Sequence, residues 1–212
     1  MRPHDMLRLT SGPELRHEGS VPAWVPESLA RVPWVVVRRA RPQAGLIPVG
    51  VRGRARGERF AAWLAPDAVA ARVTPEYLAA ARCWRHVPRV RRVGSLRVLD
   101  AVDELCTSLG LAWGPTGSVG FELATGVHSA GVASDLDVVI RAPQPWSLEY
   151  AREMADCLNR LPVRVDAQLD VPAGAVALDE YARGGRVLLR APDGPGLTRD
   201  PWREAPIDLR SA

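Results

Sequence analysis

The chain contains no lysine and a single asparagine, Asn159, in 212 residues. All 28 of its basic side chains are therefore arginines. Alongside abundant Ala, Val, Gly and Pro, this pattern has the look of a GC-rich coding bias, so the formal net charge of +4 says little about partners. Nucleic acid is not expected on charge alone. Arginine does form planar, bidentate contacts with phosphate oxygens that lysine cannot, which leaves phosphate recognition open. Cysteine is equally sparse: Cys83, Cys106 and Cys157 are odd in number and far apart, with no CxxC pair and no histidine at zinc spacing. That excludes a disulfide framework and points to inert thiols in a reducing compartment. Long apolar runs are missing too, both at the N-terminus and elsewhere, so neither a signal peptide nor a membrane span is expected and the protein reads as soluble and cytoplasmic. No internal repeat or low-complexity tract is present.

What is present suits one domain or two small ones with an ample core. Early prolines at 22, 26 and 33 give way to Trp34–Val37, a β-branched strand, and Leu46–Val51 is expected to pair with it across the Pro42–Gly45 turn. The next stretch, VRGRARGERF, sets Arg52, Arg54, Arg56 and Arg59 among glycines. It reads either as a solvated basic loop or as a phosphate clamp, with Arg52 the candidate contact. Glu58–Ala65 has the composition of a short helix. Thr74-Pro75-Glu76 is a helix start, followed by a basic, proline-broken connection in which a domain boundary is expected near Arg92, giving 1–92 and 93–212. Ser95 is expected to cap a helix with apolar positions from Leu96 to Leu109, and Ser147 another with Leu148, Ala151, Met154, Ala155 and Leu158 on one face. Residues 179–183 suit a short helix and 186–190 a strand before a Pro/Gly-rich tail.

The stretch 114–140, GPTGSVGFELATGVHSAGVASDLDVVI, carries the chemistry. As a strand, Asp135-Leu136-Asp137-Val138-Val139-Ile140 puts both carboxylates, and Arg141 beyond them, on one face, with Leu136, Val138 and Ile140 on the other. Like charges on one sheet face repel, and divalent cations are the natural way to stabilise them. Same-face residues lie about 6.6 Å apart at Cα, close enough for flexible carboxylates to share two metals about 3.5 to 4 Å apart. Residues 163–169 alternate as cleanly and bring a third acid, Asp166, onto a polar face. The Gly117-Ser118 turn, expected to lead into a helical turn, offers backbone N–H groups and a hydroxyl suited to a phosphate tail, and Arg141 is suited to a phosphate contact or a salt bridge. The competing reading makes DLD a polar edge strand and Asp166 a solvated side chain.

Gly117-Ser118 followed by Asp135-Leu136-Asp137 resembles the nucleotidyltransferase-fold superfamily. Within it the chain is most similar to the phosphoribosyl-dephospho-CoA transferases that act as holo-acyl-carrier-protein synthases of malonate decarboxylase. That resemblance rests on His4-Asp5-Met6-Leu7, on Val49–Gly53 with its trailing arginines, on GSVGFELATG, SDLDVVIRAP and VDAQLD, on 174–181, and on Asp200-Pro201-Trp202. It implies an α/β (α+β) fold, with a nucleotidyltransferase-like mixed sheet and helices after a small N-terminal α+β domain. It implies two Mg2+ ions on Asp135, Asp137 and Asp166, and Gly117 and Ser118 on the triphosphate. The donor would be triphosphoribosyl-dephospho-CoA and the acceptor a serine of the acyl-carrier subunit, with pyrophosphate released. Two other readings stand beside it: a nucleotidyltransferase adenylylating a small molecule or a protein, and a non-catalytic arginine-rich RNA-binding module.

Overall fold

In a computed structural model of the chain, which describes residues 1–10, 14–55, 57–203 and 207–208, two compact units separate at Met1–Thr74 and Pro75–Ala212. The division falls after Thr74, not near Arg92, because the basic connection is no linker. Ala79, Trp84 and Val93 are buried in the second unit's core, with Val87 and Val90 packed against it. Its arginines are tied down as well, Arg82 to Asp103 at 2.7 Å and Arg85 to Asp100 at 2.8 Å.

Among its described residues the first unit is a six-stranded antiparallel sheet with one α-helix. In chain order it comprises β1 Met6–Leu9, β2 Leu15–Arg16, α1 Trp24–Arg31, β3 Trp34–Val37, β4 Ile47–Arg52, β5 Arg59–Leu64 and β6 Val69–Val73. The strands lie in the order β2-β5-β4-β3-β1-β6. The β3–β4 pairing matches the sequence reading. Residues 58–65 differ from it: they form β5, whose whole length pairs with β4 and whose Ala62 and Leu64 are buried. Ala and Leu favour a helix, but ladder pairing and a core face override that weak preference. Val35, Val37, Val49 and Val51 fill the core from the neighbouring strands. Asp5 is fully buried and pairs with Arg72 at 3.0 Å.

The second unit runs α2 Pro75–Ala80, α3 Gly94–Arg97, α4 Leu99–Ser108, β7 Trp113–Pro115, α5 Gly117–Thr125, β8 Leu136–Arg141, α6 Leu148–Asn159, β9 Val165–Val171, β10 Gly174–Ala177, α7 Leu178–Arg183, β11 Val187–Ala191, β12 Gly194–Thr198 and β13 Ile207–Asp208. Its mixed sheet has the order β10-β9-β8-β7, with β8 and β9 parallel, and β11-β12-β13 form a second, antiparallel sheet. This is the expected α+β architecture. The helix expected from Ser95 is two helices meeting at Val98, and Ser95 lies buried inside α3 instead of capping it. Ser147 does cap α6, its Oγ accepting the Tyr150 N–H at 3.1 Å. Within the Pro/Gly-rich tail, Gly194–Thr198 form β12, paired with β11. Cys106 is fully buried, and burial, aided by the charge of Asp103, pushes its thiol up to about 12, in keeping with an inert cysteine. Among the described residues no helix is long and apolar enough to cross a membrane.

Candidate active site

Four apolar residues give β8 its place: Leu136, Val138, Val139 and Ile140 are buried, and β7 and β9 flank the strand. The parallel register sets Asp137 against Asp166 and Arg141 against Asp170. Directly paired residues of neighbouring strands share a face at about 4.8 Å separation. Two acids from distant points of the sequence thus stand side by side, both half-buried. Asp135, also half-buried, precedes β8 by one residue, at the end of a turn in which the Gly131 N–H donates to Ser134 Oγ at 2.9 Å. Among the described residues no group of three or more His, Cys, Asp or Glu side chains is gathered closely enough to hold a metal.

Beside the pair, β7 leads straight into α5. The Thr116 N–H donates to the Asp137 carbonyl at 2.8 Å, which presses the first turn of α5 against the carboxylate. Gly117 is exposed, with φ of 57°, and a Cβ there would stand well under 3.0 Å from Asp137 Oδ2. Space and backbone both demand glycine at this point. Ser118 follows, half-exposed. The first N–H groups of a helix have no partner within it, so this turn presents donors suited to anionic oxygens. The helical turn expected after Gly117-Ser118 is the start of a nine-residue helix.

Arg141 lies on the face of Asp137, as strand parity requires, but it is buried. Its Nε donates to Glu76 and its Nη1 to Asp170 at 2.9 Å. Burial works to lower its pKa, yet the hydrogen bonds and charges of Glu76 and Asp170 outweigh it and the value is raised. In this geometry its work is to neutralise two carboxylates. Glu76 reaches it because α2 starts hard against β7: a Cβ on Gly114 would collide with the Pro75 backbone. Arg52, in the other unit, ends β4 opposite Arg59 and is half-buried. The loop after it closes on Glu58, whose carbonyl accepts the Gly53 N–H at 2.9 Å and whose Oε2 accepts the Ala55 N–H at 2.9 Å. Arg54 and Arg59 are exposed, and Arg56 lies outside the described residues.

The sequence reading passed over Glu122, buried in α5. A lone acid on the face of GFELATG that otherwise packs inward was the available signal.

Residues 82–201 match the family described as phosphoribosyl-dephospho-CoA transferase MdcG C-terminal domain, and residues 2–75 match the corresponding N-terminal domain. A protein of Azotobacter vinelandii named phosphoribosyl-dephospho-CoA transferase is 45% identical over 204 residues, covering 96% of this chain and 95% of its own length. Proteins of the same name from Pseudomonas putida, at 42% identity, and Klebsiella pneumoniae, at 40%, cover 95% of this chain and 95% and 96% of themselves. No solved structure matches. With both family domains present in order and relatives aligned over nearly the full length, the chain belongs to the phosphoribosyl-dephospho-CoA transferase family.

Proposed function

We propose that this protein transfers the phosphoribosyl-dephospho-CoA group of 2'-(5''-triphosphoribosyl)-3'-dephospho-CoA to a serine of the apo acyl-carrier subunit of malonate decarboxylase, in the cytoplasm, releasing pyrophosphate. The observation that carries the reading is the pairing of Asp137 with Asp166 beside the N-terminal turn of α5. Carboxylate oxygens are hard donors, and paired carboxylates fit a divalent cation. Asp137 and Asp166 would hold magnesium, joined by Asp135 once its carboxylate turns toward them, and the ion when bound supplies the positive charge that offsets charge on the attacking and leaving oxygens. The chain's own groups do the rest. Backbone N–H groups of Gly117 and Ser118, with the Ser118 hydroxyl, bind the two phosphates that depart and hold the third for in-line attack. Asp166 would accept the proton of the carrier serine.

Incubating the protein with apo carrier, the triphosphoribosyl donor and magnesium, then weighing the carrier, tests the reaction. A carrier heavier by the prosthetic group supports it, and an unmodified carrier rejects it. Ser118→Ala removes one donor and leaves the backbone donors, so turnover or donor affinity should fall about tenfold to a hundredfold. Steady-state kinetics unchanged from the parent would take Ser118 out of the site. In this reading Arg52 contacts a donor phosphate through a screened-little bidentate pair, so Arg52→Gln should weaken donor binding at low and high salt alike. Calorimetry showing the same affinity as the parent at both salts rejects that contact.

A further inference from the structure

Glu122 sits midway along α5, and only 2% of its side chain is exposed. An ionised carboxylate so placed is costly unless paired and hydrogen-bonded. Arg89 Nη1 donates to its two oxygens at 3.1 and 3.3 Å, and the N–H groups of Ser129 and Ala130 both donate to Oε2, at 2.8 and 2.9 Å. Arg89 Nη2 reaches past it to the Ala130 carbonyl at 3.0 Å. The backbone donors all belong to the segment that leaves α5 at Gly126 and ends in Asp135. Elsewhere that segment is held by short-range contacts of its own, such as Val127 N–H to Thr125 Oγ1 at 3.1 Å and the turn from Gly131 to Ser134. The Glu122 carboxylate therefore ties the stretch before Asp135 to the helix whose first turn is Gly117-Ser118.

We infer that Glu122, clamped by Arg89, is a positioning residue that sets where the Asp135 carboxylate stands relative to the first turn of α5. This rests on the proposal that Asp135 is a metal ligand. The amide of Glu122→Gln must turn its NH2 either toward the Arg89 guanidinium or toward the backbone N–H groups, donor against donor in both cases, so one side of the clamp is lost although volume is kept. Arg89→Met leaves the carboxylate buried without its cation and loosens the same segment from the other side.

The test is Mn2+ affinity of the full chain, measured by paramagnetic resonance without substrates, alongside kinetics of carrier modification. Outer partners of metal ligands typically carry about 10- to 100-fold in affinity. Glu122→Gln is expected to weaken Mn2+ binding about tenfold and to lower kcat, with the donor KM unchanged. Arg89→Met should shift both in the same direction, and it carries the test if Glu122→Gln fails to fold. Val102→Ala, a core truncation in α4, should lower Tm and leave Mn2+ affinity alone. Parental Mn2+ affinity in both Glu122→Gln and Arg89→Met overturns the inference, as does an equal weakening in Val102→Ala. Parental affinity in Asp135→Asn overturns the ligand assignment itself, a failure visible whatever the Glu122 variant does.

Discussion

Asp137→Asn should lower carrier modification by about a thousandfold, the scale on which single members of a catalytic constellation fall. The substitution keeps side-chain volume and removes the negative charge from the centre of the site. With magnesium added, the parent should gain stability and the variant should gain less, since a ligand that binds only the folded state stabilises it by mass action. Thermal melts with and without magnesium, beside the mass-spectrometric assay, check both. Near-normal magnesium-dependent transfer by the variant would remove Asp137 from the reaction.

The strands that build this site were legible because period-two alternation is a direct consequence of strand geometry. Residues 165–171 alternate buried and half-buried without interruption, as their apolar pattern requires. Parity placed Asp166 on a polar face. It could not show that β9 would lie parallel to β8 with Asp166 opposite Asp137, since that depends on the connection through α6 and on which edges meet. Arg141 shows the same limit from the other side. Its face was readable, while Glu76, which occupies it, comes from a helix 65 residues earlier in the chain.

Elsewhere local composition misled for physical reasons. Residues 83–92 look like a linker because a proline and several arginines interrupt every periodicity, yet Trp84 anchors the segment: its ring is buried against Trp113 at a centroid separation of 6.2 Å, and its indole N–H donates to Asp100 at 3.0 Å. Large aromatics dominate core energetics, so one such residue outweighs a polar neighbourhood. The full length of α5 was hidden by two glycines, which lower helix propensity, although each is required where it stands. Gly120 meets the Pro115 carbonyl so closely that a Cβ would have no room. Glu122 was passed over because its partners, Arg89 and the Ser129 and Ala130 N–H groups, are defined only once the chain has folded back.

Gly117→Ala should abolish activity nearly as completely as Asp137→Asn, and a second glycine makes the cause separable. At Gly117 two demands coincide. The left-handed backbone, φ 57°, costs an L-residue roughly 1 to 2 kcal/mol, and the added Cβ would collide with Oδ2, the carboxyl carbon and Cβ of Asp137. Gly126, which ends the same helix with φ 73°, has nothing within 4 Å of where its Cβ would go. Gly126→Ala thus carries the backbone strain without the collision. Gly117→Ala should lose at least as much stability as Gly126→Ala in denaturant titration, and it alone loses transfer by about a hundredfold or more, because its methyl group displaces the carboxylate and narrows the first turn of α5 where phosphate oxygens would sit. If the two variants lose activity equally, strain in α5 and not contact with Asp137 sets the requirement, and the coupling of Gly117 to the carboxylate pair is wrong. If Gly117→Ala stays active, the first turn of α5 is not part of the site.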